Sequence, residues 1–202
     1  MLGAMADRTR RAPTGAAVLQ PQVTTAIADA VLTELADAGY GRLSMEAVAK
    51  RAGVGKSALY RRWPSKREMV VSVVSELSVP MARVPDTGSL RGDLRAVLAG
   101  VHEWITHPLL SRILPDLTAE ATRTPALAGV IADMIGEPRR ARGAEVLTRA
   151  VARGELPADV DVELAMDLVA APLYWRVRVR QAELEDDYLD KLVDLLVRAL
   201  TR

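Results

Sequence analysis

Cysteine is absent from the 202 residues, and so is phenylalanine. Without cysteine there can be no disulfide, no thiolate metal site and no cysteine nucleophile. Aromatic residues make up 3% of the chain and there are two histidines, so little is available for an acid–base or metal constellation. Uninterrupted apolar runs of about 18 residues, the length a membrane helix needs, are also missing. The first residues, MLGAMADRTRRAPTG, carry charge where a secretory signal requires an apolar stretch. A cytoplasmic protein is expected. Alanine, leucine, valine, arginine and glutamate supply long periodic runs with few strand-like alternations, which predicts an all-α fold.

Formal net charge is +1, yet it is unevenly spread. Residues 1–67 hold 11 Lys and Arg against 5 Asp and Glu, and the remainder 16 against 21. The cationic footprint lies at the amino end. There, LSMEAVAKRAGVGKSALYRRWPSK (43–66) reads as two short amphipathic helices around a tight turn. Ser44 is a natural N-cap, and Met45, Val48, Ala49 and Ala52 recur at helical spacing. Gly53 can take the positive φ that reverses the chain. In the second helix Leu59 and Trp63 face the core, while Lys56, Ser57, Tyr60 and Arg61 gather on another side. No carboxylate falls between Lys56 and Arg67. A major groove asks for such a surface, with short or cationic groups near the helix N-terminus.

In one order and spacing, Gly39-Tyr40, Ser44-Met45-Glu46-Ala47-Val48-Ala49, Ala52-Gly53-Val54, Leu59-Tyr60 and Trp63-Pro64-Ser65-Lys66 resemble the tetracycline-repressor (TetR) family of bacterial transcription regulators. The resemblance covers roughly residues 23–69. It implies a three-helix, homeodomain-like DNA-binding head and a C-terminal helical body for ligand binding and dimerisation, about nine helices in all. Release from DNA on binding a small molecule is part of the same pattern. Two positions depart from it. Thr24 stands where the family usually has Arg, and Gly55 where it commonly has Ser.

Residues 1–20, with Arg8, Arg10 and Arg11 and no apolar period, are expected to be a disordered basic arm, either a solvated tail or one that follows DNA. The DNA-binding domain is assigned to 21–66 and the ligand-binding and dimerisation domain to 67–202. A first helix over 21–38 stops at Gly39. Ser65 and Glu68 form a capping box for a fourth helix that Pro80 ends. Helices follow from Leu90 to near Thr106, from Pro108, and from Pro125, the last with a kink or break at Gly136 and Pro138. The run Arg139, Arg140, Arg142 reads as a solvated helix face rather than a second nucleic-acid patch. Two final helices, about 160–180 and 187–200, carry apolar stripes. Leu164, Leu168, Leu189, Leu192, Val193 and Leu196 are candidates for a four-helix homodimer interface, the alternative being that they close the protomer core.

For DNA the candidates are Lys56 and Ser57 at the recognition-helix N-terminus, Tyr60 and Lys66 on phosphates, Arg61 or Arg62 on a guanine edge or phosphate, and Ser44 donating to a phosphate while capping. For a small-molecule effector, His102, Trp104, Met134, Tyr174 and Trp175 can line an apolar pocket with a polar handle. His102 and His107 are five apart, wrong for one helix face, so neither a metal nor another cofactor is expected. Nor is there a phosphate loop or nucleophile elbow. The leading reading is a dimeric regulator, a repressor, on a palindromic operator. Its rivals are a helix-turn-helix protein without small-molecule input and an α-helical enzyme.

Overall fold

The structure, a computed structural model, describes residues 21–201, and every regular element among them is helical. The basic arm expected over 1–20 lies outside the described residues. The chain runs through α1 (Pro21–Arg42), α2 (Met45–Ala52), α3 (Lys56–Arg62), α4 (Lys66–Ser78), α5 (Leu90–Thr106), α6 (Leu110–Ala121), α7 (Pro125–Ile131), α8 (Glu137–Ala152), α9 (Val162–Tyr174) and α10 (Tyr188–Leu200). A π turn over Ala132–Gly136 joins α7 to α8 and another over Trp175–Val179 extends α9, so the described residues form nine continuous helices. None of them is long and apolar enough to cross a membrane.

Helix starts follow local chemistry. The Ser44, Ser65 and Ser89 hydroxyls accept from the amides of Ala47, Glu68 and Gly92 at 3.1, 3.2 and 3.1 Å, and the Asp161 carboxylate accepts from Leu164 N–H at 3.0 Å. Each satisfies an amide that the first helical turn leaves open. Gly53, at φ 65°, closes α2, with Val54 N–H reaching back to the Ala49 carbonyl at 3.0 Å. Gly39, at φ 77° and ψ 164°, interrupts α1, and a Cβ there would stand 2.9 Å from the Asp116 carboxylate on α6. Only glycine meets both demands.

The kink or break expected at Gly136 and Pro138 takes the form of a π-helical widening over Ala132–Gly136. Glu137 N–H bonds back to the Ala132 carbonyl in the wider π pattern, and the Met134 carbonyl, four residues before Pro138, accepts instead from the Ser75 hydroxyl at 2.8 Å. One continuous helix results.

Two apolar clusters hold the chain. The first joins Ile27, Val31 and Leu35 of α1, Val48 of α2 and Leu59 of α3 to Met69–Val74 of α4, and continues into Ile113 and Leu117 of α6 and Leu127 of α7. The core of the head therefore runs past residue 66 without a seam. The second packs Leu94 and Leu98 of α5 with Leu147 of α8, Val169 and Leu173 of α9, and Leu192, Val193 and Leu196 of α10. Trp104 packs against both.

Asp93, fully buried near the start of α5, ties the second cluster to the loop before it. Its carboxylate accepts from Thr87 N–H at 2.6 Å and Thr87 Oγ1 at 2.9 Å, and pairs with Arg153 of the turn after α8 at 3.2 Å. Burial works to raise its pKa, but the Thr87 and Arg153 bonds outweigh it and hold the carboxyl below its ordinary value. The stabilisation is thus complete above the usual carboxylate range and is lost as acid takes the pH down through the folded-state value. Asp93→Ala should cost about 1–3 kcal/mol in urea unfolding at neutral pH, and should flatten the acid limb of the stability curve. An unchanged acid limb would show that Asp93 does not set it.

Candidate nucleic-acid interface and inner cavity

α3 is short, but its sides are well separated. Leu59 is buried against the head's core, Gly55 occupies the N-cap with no side chain to bond, and Lys56, Ser57, Tyr60 and Arg61 are exposed. The Lys56 ammonium stands 5.8 Å from the centre of the Tyr60 ring. These four side chains make one outward surface of a polar, cationic and aromatic kind, next to Ser44 at the start of α2.

α3 has no carboxylate, but α2 brings one. Glu46 forms an ion pair with Lys56, which raises the lysine's pKa through that hydrogen bond and lowers the glutamate's. The positive potential at the helix start is correspondingly reduced.

Two cations assigned to DNA from the sequence are occupied within the head. Arg62 donates to Thr24 Oγ1 at 2.8 Å and lies over the Trp63 ring at 4.5 Å, so Arg61 is the outward arginine of the pair. Thr24, standing where the family usually has Arg, thus has a partner of its own. Lys66 donates to the Tyr40 carbonyl at 2.8 Å and sits 4.4 Å from the Tyr40 ring centre. It caps carbonyls at the end of α1, as a cation near a helix C-terminus does.

A cavity of about 230 Å³ opens where α5, the turn after α4, the π turn before α8, and α9 meet. Its walls are Met81, Val97, Val101, Ile135, Met166 and Val169. Gly143 leaves room for Met166, whose Sδ lies 3.2 Å from where a Cβ would stand. Of the effector candidates, Trp104 lines the cavity and the others do not. His102 lies two residues away on α5, about 200° round the helix, while Met134, Tyr174 and Trp175 are exposed at the surface.

The arginine run, expected as a solvated helix face, instead turns two of its three guanidinium groups inward. Arg139 donates to the Ser78 carbonyl and stacks over Trp104 at 4.0 Å, and Arg142 donates to the Val79 and Ala82 carbonyls at 2.9 and 3.3 Å. Both are half-buried because they cap the end of α4. Arg140 alone turns outward, to Glu163 and Asp167 at the cavity rim. Burial, with Arg142 beside it, lowers the Arg139 pKa to about 10, still charged at neutral pH. The sequence signal was there in the spacing of 139, 142 and 149, one side of α8, but not its target. No group of His, Asp and Glu suited to a metal occurs among the described residues.

The dimer candidates divide in two. Leu164 and Leu168 on α9 are 56% and 40% exposed, as a docking face requires. Leu192, Val193 and Leu196 are buried in the protomer's own core and Leu189 is half-buried against it, because the α10 stripe faces α5 and α9. Trp175 and Val179, in the π turn that extends α9, and Leu195 on α10 are exposed too and were not chosen from the sequence for this role.

Residues 27–73 match the model for bacterial regulatory proteins of the tetR family, and residues 84–196 that for the tetracyclin repressor-like C-terminal domain. An HTH-type transcriptional regulator of Mycobacterium tuberculosis is 32% identical over 203 residues, covering 100% of this chain and 98% of that one. A DNA-binding transcriptional repressor of Mycobacteroides abscessus is 33% identical over 165 residues, covering 81% and 86%. Among solved structures, a TetR family transcription regulator, SCO0332, superposes with a TM-score of 0.71 at 30% identity over 90% of this chain and 100% of that one.

Glu46→Gln should remove a carboxylate from beside the DNA-facing surface and free the Lys56 charge, raising affinity for duplex DNA at low salt and steepening the log K against log [salt] line by about 1. A filter-binding salt titration with an unchanged slope would show that the ion pair does not hold the lysine back. Arg62→Ala should cost about 1 kcal/mol of stability through the lost Thr24 bond and Trp63 stacking, whereas Arg61→Ala should leave the melting point in place.

Proposed function

The chain belongs to the tetracycline-repressor family of bacterial transcription regulators, and from that premise we propose that it represses transcription in the cytoplasm as a homodimer on a palindromic operator, released by a small-molecule effector. The observation that carries the reading is the outward surface of α3, where Lys56, Ser57, Tyr60 and Arg61 stand free of the core. Lys56 and Ser57 face base edges, Arg61 a guanine edge or phosphate, and Tyr60 and Ser44 phosphates. Lys66 and Arg62 act chiefly by holding α1 against α3 and α4. Residues 21–66 bind DNA, and the chain from 67 onward binds effector and partner.

Two recognition helices reach successive major grooves only if their separation is fixed at about 34 Å. A two-fold interface through the α9 face, with Leu164, Leu168 and Trp175 meeting their copies, supplies that constraint. The apolar cavity supports the effector. A ligand that favours one arrangement of the end of α4 over another biases the head, and a coupling of about 1–3 kcal/mol changes operator occupancy appreciably. The identity shared with a mycobacterial repressor supports the sign of regulation.

Selection of bound sequences from a random duplex pool should return an inverted repeat with half-sites about one helical turn apart. Single half-sites would remove the dimer. Leu168→Glu should shift the protein to monomer in light scattering and lower operator affinity, with little loss of melting temperature. Leu196→Ala should instead cost about 2–5 kcal/mol of stability, as buried leucines do.

A further inference from the structure

The effector's chemistry is legible in one cation. Arg139 lines the cavity, yet among the described residues no carboxylate pairs with it. Its hydrogen bond to the Ser78 carbonyl uses one donor of a guanidinium that has five. One face of that guanidinium rests on Trp104 at 4.0 Å, and burial costs it solvation that no countercharge returns. Other cations at the site are differently placed. Arg140 is neutralised at the rim by Glu163 and Asp167, Arg142 is taken up by two carbonyls, and Arg83 is exposed. The cavity therefore offers aliphatic walls, one tryptophan and a single half-buried positive charge without a carboxylate partner among the described residues.

We infer that the effector is a small amphipathic monoanion, a carboxylate in its simplest form, whose head group binds the Arg139 guanidinium while its apolar part lies against Val97, Val101, Met166 and Val169. This rests on the effector reading above and gives it a route. The same guanidinium holds the Ser78 carbonyl, and the Trp104 indole N–H donates to the Ser78 hydroxyl at 2.8 Å, with Ser78 itself fully buried at the end of α4. A carboxylate is the stronger acceptor for a guanidinium and takes two N–H groups in one plane. Binding it draws Arg139 from Ser78 and loosens the carboxyl end of the helix that enters the head. A second negative charge would find no buried partner, so a dianion is disfavoured.

Isothermal titration of the full chain with octanoate and with octanamide, equal in size and differing in charge at neutral pH, tests the inference. Octanoate should bind about tenfold or more tightly than octanamide, the margin of a hydrogen bond to a charged group. Arg139→Gln should abolish that preference and Arg139→Lys should retain part of it, with cooperative melting of each variant showing that it folds. Equal affinity for acid and amide, an acid preference that survives Arg139→Gln, or binding of neither probe would overturn the proposal. Failure of the underlying effector reading would look different: octanoate would bind with the Arg139 dependence described, but the complex with a selected operator would stay intact.

Discussion

The last turn of any α-helix leaves carbonyls without internal partners, and α4 ends on Ser78, a fully buried residue. Arg139 and Arg142 of α8 meet the demand, one at Ser78 and the other at Val79 and Ala82, and Arg149 of the same helix reaches the Pro85 carbonyl further along. The arrangement is electrostatically sound, since cations stabilise helix C-termini. It also fixes where the chain can turn between α4 and α5. Because α4 carries Met69–Val74 into the core of the head, the wall of the cavity and the base of the DNA-binding unit are held by the same few hydrogen bonds.

A second connection runs through α6. Its Asp116 accepts from Tyr40 N–H at 2.6 Å and fills the space that Gly39 leaves, while Lys66 of α4 donates to the Tyr40 carbonyl from the other side. The peptide units flanking Tyr40 are thereby clamped between α4 and α6. Arg112 reaches Asp37 at 3.3 Å, an exposed pair that adds little by comparison. The apolar cluster follows the same path, from α1 through α4 into α6 and α7. The end of α1 is thereby tied by hydrogen bonds and by shared core to both α4 and α6.

The head was legible in the sequence because its determinants are local. Ser44, Gly53, Ser65 and the Leu59–Trp63 pair each act within a turn or two, and periodicity placed them correctly along the chain. What was hidden depends on partners distant in sequence. A run of three arginines has the same appearance whether it faces water or, as Arg139 and Arg142 do, carbonyls about 60 residues away. Lys66 and Arg62 were both expected on DNA, yet the bond of Lys66 inside the head follows from where α1 ends, at Tyr40, and that of Arg62 from where α1 begins, at Thr24. The α10 stripe illustrates the ambiguity of amphipathic helices. Leu192, Val193 and Leu196 are apolar for the sake of α5 and α9, while Leu195, off the stripe, is the exposed leucine. The π turns were missed because Gly136 and Pro138 signal a disturbance of helical bonding without saying whether the helix breaks or widens.

The glycine at 143 and the methionine at 166 have a bearing on which compounds the protein can tell apart. A thioether chain with three rotatable bonds lies against bare backbone at one wall of the cavity, and it can move aside at little cost. Elsewhere in the lining the groups are polar and directional, an indole whose nitrogen donates to Ser78 and a guanidinium stacked on it. For the proposed effector this means strict discrimination at its polar terminus and lax discrimination in the length and branching of its tail, the profile of a sensor tuned to a chemical class instead of a single metabolite.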